Sequence, residues 1–564
     1  MRSTLHRAGL AVLLAGVTAC GGSEDGGADL VLRGGKIVTV DEANPEVSAL
    51  AARDGRIVAL GSDADIASYI GSNTEVIDLD GALAVPGLIE GHAHYMGVGR
   101  GTLQLNLMDV ANWDEAVDMV AAAVASAEEG VLISGRGWHQ EKWDRRPEQS
   151  VDGLPHHDAL SAISPDNPVI LTHASGHATF ANARAMELSG ITADTEDPDG
   201  GEIVRDAEGN PIGAFRETAS GLLSPARANS IDPDPRRVAL LAQEEAFSKG
   251  ITSFQDAGSS WGTVDLWTSM IDGGELDIRI YAMIRATPEA LARNLDAYRV
   301  VGYGDDRLTV RAIKVSIDGA LGSHGAWLLE PYEDLPSSAG LNTTPMDVVV
   351  ETARLAMEHD YQYNVHAIGD RGNRETLDIF EAAYDAAGEG DYRWRIEHAQ
   401  HLHPDDIPRF GALGVIPAMQ GVHATSDGPW LEAKLGSQRV EEGAYVWQSL
   451  MQSGAVIVNG TDAPVENLDP IPSYYASVSR RMGNGDVLYP EQRMSRMEAL
   501  RSYTINAAYG AFEEELKGSL EIGKLADVTV LSQDILTIDE DLIPETQVRY
   551  TIVGGRVVYT GESR

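Results

Sequence analysis

Two histidines one residue apart, His92 and His94, close the stretch Pro86-Gly87-Leu88-Ile89-Glu90-Gly91-His92-Ala93-His94. An apolar, strand-like run over residues 82–89 precedes them. In a strand, side chains two apart face the same way, so the imidazoles would stand side by side at the strand's end. Imidazole is a good zinc ligand, and a catalytic zinc needs further protein ligands and an open position for water. A bare His-x-His fits two unrelated loop histidines equally well, so the rest of the chain must supply the other ligands.

Further metal-capable or ionisable residues stand at the ends of other strand-like runs. Lys314 lies in Ile313-Lys314-Val315, His366 ends Asn364-Val365-His366, and His398 follows Arg395-Ile396-Glu397. Asp462 sits in Asn459-Gly460-Thr461-Asp462-Ala463-Pro464. A lysine in a strand can pair with a buried carboxylate, and a lone histidine is more often structural than a ligand. Recurrence beside the His92 and His94 pair makes coincidence the weaker account.

The elements that must position these residues alternate. Strand patterns cover 82–89, 251–254, 278–284, 309–317, 363–365, 394–396, 415–419 and 455–458, with helical periodicity over 236–249 and 348–358. Eight strands alternating with helices predict an α/β fold, a (β/α)8 TIM barrel rather than a doubly wound sheet. Barrel enzymes hold their catalytic groups at the C-terminal strand ends, where these residues fall. Short β-type runs with Gly-rich turns occupy both chain ends. They predict a small β-sandwich assembled from 29–85 and 515–564, with the barrel over 86–514. Residues 136–234 break the alternation and contain a hairpin-like unit, Gly200 to Asp206 and Gly209 to Gly213, expected as an insertion over the barrel mouth.

Acidic residues outnumber basic ones 86 to 43, a formal charge of −43, which argues against a nucleic-acid or anionic-lipid surface partner. Residues 1–19 read as a secretory leader, with Arg2 and Arg7 ahead of an apolar segment too short to span a bilayer. Val17-Thr18-Ala19-Cys20 resembles a bacterial lipobox, and residues 20–28 read as a flexible tether. Cys20 is the sole cysteine, which excludes disulfides within the chain. The expectation is a lipid anchor at Cys20 in the bacterial cell envelope, at the outer membrane facing the periplasm. A homodimer is the base-rate expectation for oligomeric state.

The ordered motifs together resemble the amidohydrolase superfamily, in its amidohydrolase-3, YtcJ-like branch of metal-dependent hydrolases. Besides the segment ending at His94, the resemblance is carried by Gly137-Trp138-His139-Gln140-Glu141-Lys142-Trp143, Ser175-Gly176-His177-Ala178 with Asn182, and Asp318-Gly319-Ala320-Leu321-Gly322-Ser323. It continues through Val365-His366-Ala367-Ile368-Gly369-Asp370, Arg395-Ile396-Glu397-His398-Ala399-Gln400, Gly460-Thr461-Asp462-Ala463-Pro464-Val465-Glu466 and Gly523-Lys524-Leu525-Ala526-Asp527.

The resemblance implies that His92, His94 and Asp462 bind a buried zinc and that His366 and His398 bind a more exposed one. A carbamylated Lys314 would bridge the pair. Two zinc ions ~3.5 to 4 Å apart would share a hydroxide, with Asp462 as general base and proton carrier to the leaving amine. A one-metal site with an ion-paired Lys314 is the alternative. Trp138, His177, Asp318, His324 and His423 are the candidate substrate contacts; His324 stands near where relatives often place an arginine. The expected reaction is hydrolysis of a non-peptide C–N bond in an amide, formamide or N-acyl amine. The rivals are an ester, lactone or cyclic-amide hydrolase with the same site and a surface-tethered binding protein with a vestigial barrel.

Overall fold

The computed structural model describes residues 27–228 and 233–561. The expected leader, Cys20 and most of the tether lie outside the described residues. Within them, no helix is long and apolar enough to cross a membrane.

Eight parallel strands form the central barrel: β1 (Leu88–Ala93), β2 (Ile251–Ser259), β3 (Arg279–Ile284), β4 (Leu308–Ser316), β5 (Gln362–Ala367), β6 (Arg395–His398), β7 (Ile416–Gln420) and β8 (Val458–Gly460). Each pairs with its sequence neighbour. Strands β3 and β5 are buried at every residue. That is what a parallel strand with helices outside and packed side chains inside requires.

The seam between β8 and β1 is closed by side chain as well as backbone. Asp462 N donates to His92 O at 2.7 Å, and His94 N to Ala463 O at 2.7 Å. Glu90, fully buried, accepts from Thr461 N at 2.8 Å and Thr461 Oγ1 at 2.9 Å. The two strands approach so closely that a Cβ on Gly91 would lie 2.3 Å from Asn459 O.

The apolar run before His92 is two strands in two sheets, not the single barrel strand expected. Leu83–Pro86 pairs antiparallel with Val528–Leu531 in the sandwich, and the chain then turns at Gly87 into β1. A Cβ on Gly87 would meet Thr252 Oγ1 at 2.3 Å, so the crossing admits no side chain. His92 consequently lies inside β1, and His94 is the N-cap residue of the helix Tyr95–Gly101.

The sandwich packs a four-stranded sheet from the N-terminal part on a six-stranded sheet that combines strands from both chain ends. Leu30, Leu32, Ile37, Leu50, Val528, Val530 and Ile552 form its core. Buried Arg279 at the start of β3 holds Asp527 of the sandwich through Nε at 2.7 Å and Nη2 at 2.9 Å, tying the units together.

Between β1 and β2 the chain builds a six-stranded sheet in the order Gly201–Arg205, Pro211–Glu217, Ala178–Ala181, Val169–His173, Ile133–Trp138, Leu105–Asn106. This inserted unit starts well before residue 136. Its first strand is two residues long, and its first helix, Trp113–Val124, has an amphipathic pattern indistinguishable from a barrel helix.

Candidate metal centre and cleft

The site begins with a buried carboxylate. Glu397 on β6 is fully buried, its Oε1 lies 2.7 Å from Arg395 Nε, and it makes a short contact with His92 Nδ1. An acceptor at Nδ1 places the ring proton there and leaves the Nε2 lone pair free. His398 repeats the device, with its Nδ1 2.8 Å from Gln420 Oε1 on β7. His92 Nε2 is 3.6 Å and His94 Nε2 3.3 Å from Asp462 Oδ1. The His398 ring centroid stands 4.6 Å from that of His92 and 4.5 Å from that of His366.

His92 Nε2, His366 Nε2 and Asp462 Oδ1 are buried without hydrogen-bond partners. Each such group costs ~1 to 3 kcal/mol, so their presence around the centre calls for a ligand. Two imidazole nitrogens and a carboxylate oxygen are the donor set of a divalent metal. His92, His398 and Asp462 each offer a ligand atom within 4.8 Å of the others, so these residues fit such an ion.

The protonation states agree. Burial, then the nearby Lys314 charge, draw the His92 pKa down to about 4. Burial also takes His366 and His398 well below the usual histidine value, so all three are neutral ligands at neutral pH. Desolvation opposes ionisation of Asp462, but His94, His398 and His92 outweigh it and hold the carboxyl well below its ordinary value. Lys314 is 1% exposed, and burial lowers its pKa to about 7.

A cleft of about 930 Å³ opens above this centre, lined by His94, Lys314, His366, His398 and Asp462, with His177 and Asp318. A narrower pocket of about 50 Å³ adjoins it, where His139, His423 and Trp430 line the wall. His398 (φ 78°) and Asp462 (φ 57°) hold left-handed backbone, costly conformations for non-glycine residues that concentrate at functional sites.

The expected substrate contacts divide. His177 lines both spaces; its Nδ1 is 2.7 Å from Glu217 Oε2, and its ring centroid is 4.9 Å from that of His366. His423 lines the narrow pocket and receives Gln400 Nε2 at 3.0 Å. Asp318 reaches the cleft but is engaged by three backbone N–H groups, of Trp327, Ile368 and Gly369, at 2.8 to 3.0 Å.

Trp138 does not line the cleft. It is fully buried in the inserted unit's core, donates to Leu171 O at 3.0 Å and packs edge-on to Phe180. Strand alternation turns the tryptophan inward, and its neighbour His139 meets the pocket instead. His324 also lies away from both spaces: its Nε2 is 3.1 Å from Asp334 and 3.0 Å from Lys434 Nζ. Asn182 caps the helix Ala183–Leu188.

Glu397, Gln420 and Glu217 are functional candidates that sequence reasoning passed over. The i, i+2 spacing of Arg395 and Glu397 in a strand was a usable signal for a buried ion pair. No sequence feature marked Glu217, which comes from a strand far along the chain.

The amidohydrolase family model matches residues 75–559. The chain belongs to the amidohydrolase family. It is 35% identical to Protein LONG AFTER FAR-RED 3 of Arabidopsis thaliana, over 94% of this chain and 92% of that protein. It is 30% identical to putative amidohydrolase YtcJ of Bacillus subtilis, over 94% and 99%. With the N-substituted formamide deformylase of Arthrobacter pascens it shares 26% over 94% and 98%. An uncharacterized metal-dependent hydrolase from Pyrococcus furiosus superposes with a TM-score of 0.69 at 27% identity, covering 90% of this chain and 100% of that one.

In this amidohydrolase the role of Glu397 has a direct test. Glu397→Gln keeps the shape but removes the charge that orients His92. Metal affinity, read by titration of the metal-free protein, is expected to fall ~10- to 100-fold with an unchanged far-UV circular dichroism spectrum. Affinity equal to wild type would refute the orienting role.

Proposed function

We propose that the chain is a zinc-dependent hydrolase of non-peptide C–N bonds in amides, formamides or N-acyl amines. The gathering of ligand atoms of His92, His398 and Asp462 beside a large cleft that His366, His398 and Asp462 line carries this reading. The formamide-cleaving relative, alignable over nearly the whole chain, supports the substrate class. Two zinc ions per chain would be held by His92, His94 and Asp462 on one side and His366 and His398 on the other, with carbamylated Lys314 between them. Such metal supplies Lewis acidity, polarising a carbonyl and acidifying a water close to it.

The protein's own groups do the rest. Asp462, ionised and adjacent to His94, takes the proton of the attacking water and delivers it to the departing nitrogen. His92 and His398, fixed through Nδ1, keep their Nε2 atoms aimed at the centre. Burial of the barrel interior strengthens each of these electrostatic interactions by excluding water. Asp462→Asn should lower turnover in a screen of formamides and N-acyl amines ~10²- to 10⁴-fold while folding persists. Undiminished hydrolysis would remove Asp462 from the mechanism.

Lys314 gives a pH dependence with a definite sign. A neutral amine adds to carbon dioxide, forming a carbamate and releasing a proton, and only the neutral amine reacts. With its pKa drawn down to about 7, Lys314 is increasingly competent above that pH and protonated below it. Carbon dioxide uptake by the metal-free protein in bicarbonate, followed by mass spectrometry, should therefore rise through neutral pH and vanish in Lys314→Ala. A flat profile, or uptake surviving the substitution, would dismiss the carbamate.

The leader and lipobox-like segment support a lipid-anchored location at Cys20 in the bacterial envelope. Radiolabelled fatty acid should be retained by wild-type protein and lost in Cys20→Ser; equal labelling of both would overturn the anchor.

A further inference from the structure

Four carboxylates line the cleft, and each has a partner. Asp462 stands against His94, Asp318 accepts three backbone N–H groups, Glu217 holds His177, and Glu289 hydrogen-bonds Thr287. Of the three cations in the same wall, Lys314 belongs to the metal centre and Arg136 is bound to the carbonyls of Pro464 and Ala174, whereas the third, Arg285, has no acceptor of that kind on its guanidinium. Arg285 follows the last residue of β3, is exposed and lines the cleft. Its one side-chain hydrogen bond runs from Nη2 to Ser316 Oγ at 3.1 Å, and no carboxylate of the described residues lies within ion-pair distance of it. Asp256, whose charge it senses, is occupied by Tyr95 N at 2.7 Å and by Ser259 Oγ.

Other arginines without a carboxylate spend their guanidinium on backbone carbonyls, as Arg136 does on Pro464 O and Arg480 on Leu488 O and Tyr445 O, whereas that of Arg285 meets a single hydroxyl at the cleft wall. Surface arginines of this protein repeatedly find acids, as Arg354 finds Glu351 and Glu358. Around Arg285 the wall offers hydroxyl-bearing Thr287, Ser316, Thr343 and Thr344. The helix Pro288–Tyr298 also starts here, with its positive amino end toward the cleft rim. Lys314 and His366 of the metal centre line the same cleft and feel the Arg285 charge, so one ligand can meet both.

We propose that Arg285 recognises a carboxylate on the substrate, so that the enzyme prefers N-acyl amines carrying an anionic group to neutral ones. The proposal rests on the reading of the site as a C–N hydrolase. A guanidinium meets a carboxylate through two parallel N–H donors, a geometry that neither the threonines nor a lysine reproduces.

The test uses zinc-loaded full-length mature protein and two probes that differ by one carboxylate, N-formylphenylalanine and N-formylphenethylamine. Wild type should favour the carboxylate-bearing probe in kcat/KM. Arg285→Gln should reduce that preference ~10- to 100-fold, chiefly through KM, and Arg285→Lys should restore part of it. Equal cleavage of both probes by wild type would overturn the proposal. So would an equal loss of kcat on both in Arg285→Gln, because Arg285 would then act on the reacting centre. If neither probe is cleaved, the hydrolase reading fails for this class, and calorimetric binding of the same probes decides on Arg285. Selective binding of N-formylphenylalanine that disappears in Arg285→Gln supports anion recognition, and binding without that selectivity overturns it.

Discussion

A charged carboxylate with no access to water, Glu397, sits at the barrel floor between a guanidinium and an imidazole. Burying an ion is costly unless it is paired, and removing one partner of such a pair costs ~3 to 5 kcal/mol. Arg395 supplies the countercharge and is itself anchored by Gly91 O at 2.8 Å and by Gln255 on β2. Through this one carboxylate, β6 is tied to β1 and β2 across the barrel interior. His92 can therefore present Nε2 to the centre only while those strands stay in register.

The seam between β1 and β8 meets the same constraint from the other side. Glu90 bridges to Thr461, and the backbone of Asp462 is hydrogen-bonded to His92 O. Asp462 thus reaches the cluster by geometry fixed at strand closure. Its left-handed backbone and that of His398 are conformations that neighbouring bonds impose. Burial pushes Glu90 up to about 8, against the hydrogen bonds that favour its ionised form.

Much of this was legible in sequence. The barrel followed from eight apolar runs alternating with helices, and the site residues from their recurrence at strand ends. Where the reading erred, the cause was local ambiguity. Residues 82–89 look like one strand because nothing in their hydropathy marks Gly87 as the crossing between two sheets. Trp138 sits in a motif that also carries His139, and only the strand's alternation, fixed by its partners, decides which one faces the pocket. His324 took a place near the cleft in sequence but turned to Lys434 and Asp334, partners far along the chain whose proximity no spacing predicts. Glu217 was invisible for the same reason.

The division of labour between barrel and insertion follows from these positions. The metal-capable residues all rise from barrel strands or the turns directly after them, where the sheet fixes them against one another. His139, Lys142, His177 and Glu217 come from the inserted unit; His139, Lys142 and His177 line the narrow pocket, and His177 and Glu217 line the cleft. Specific links join the inserted unit to the barrel: Lys142 Nζ to Glu466 Oε1 at 2.8 Å, Arg136 Nε to Pro464 O at 2.9 Å, Gln140 Nε2 to Gly322 O at 3.0 Å and Lys434 Nζ to Glu141 Oε1 at 3.1 Å. The first two of these links end in the segment that follows Asp462. The loop that presents the central carboxylate is therefore also one of the supports of the inserted unit. A change of substrate that needed a differently shaped roof could be accommodated by altering the insertion while β1, β6 and β8 keep the centre intact.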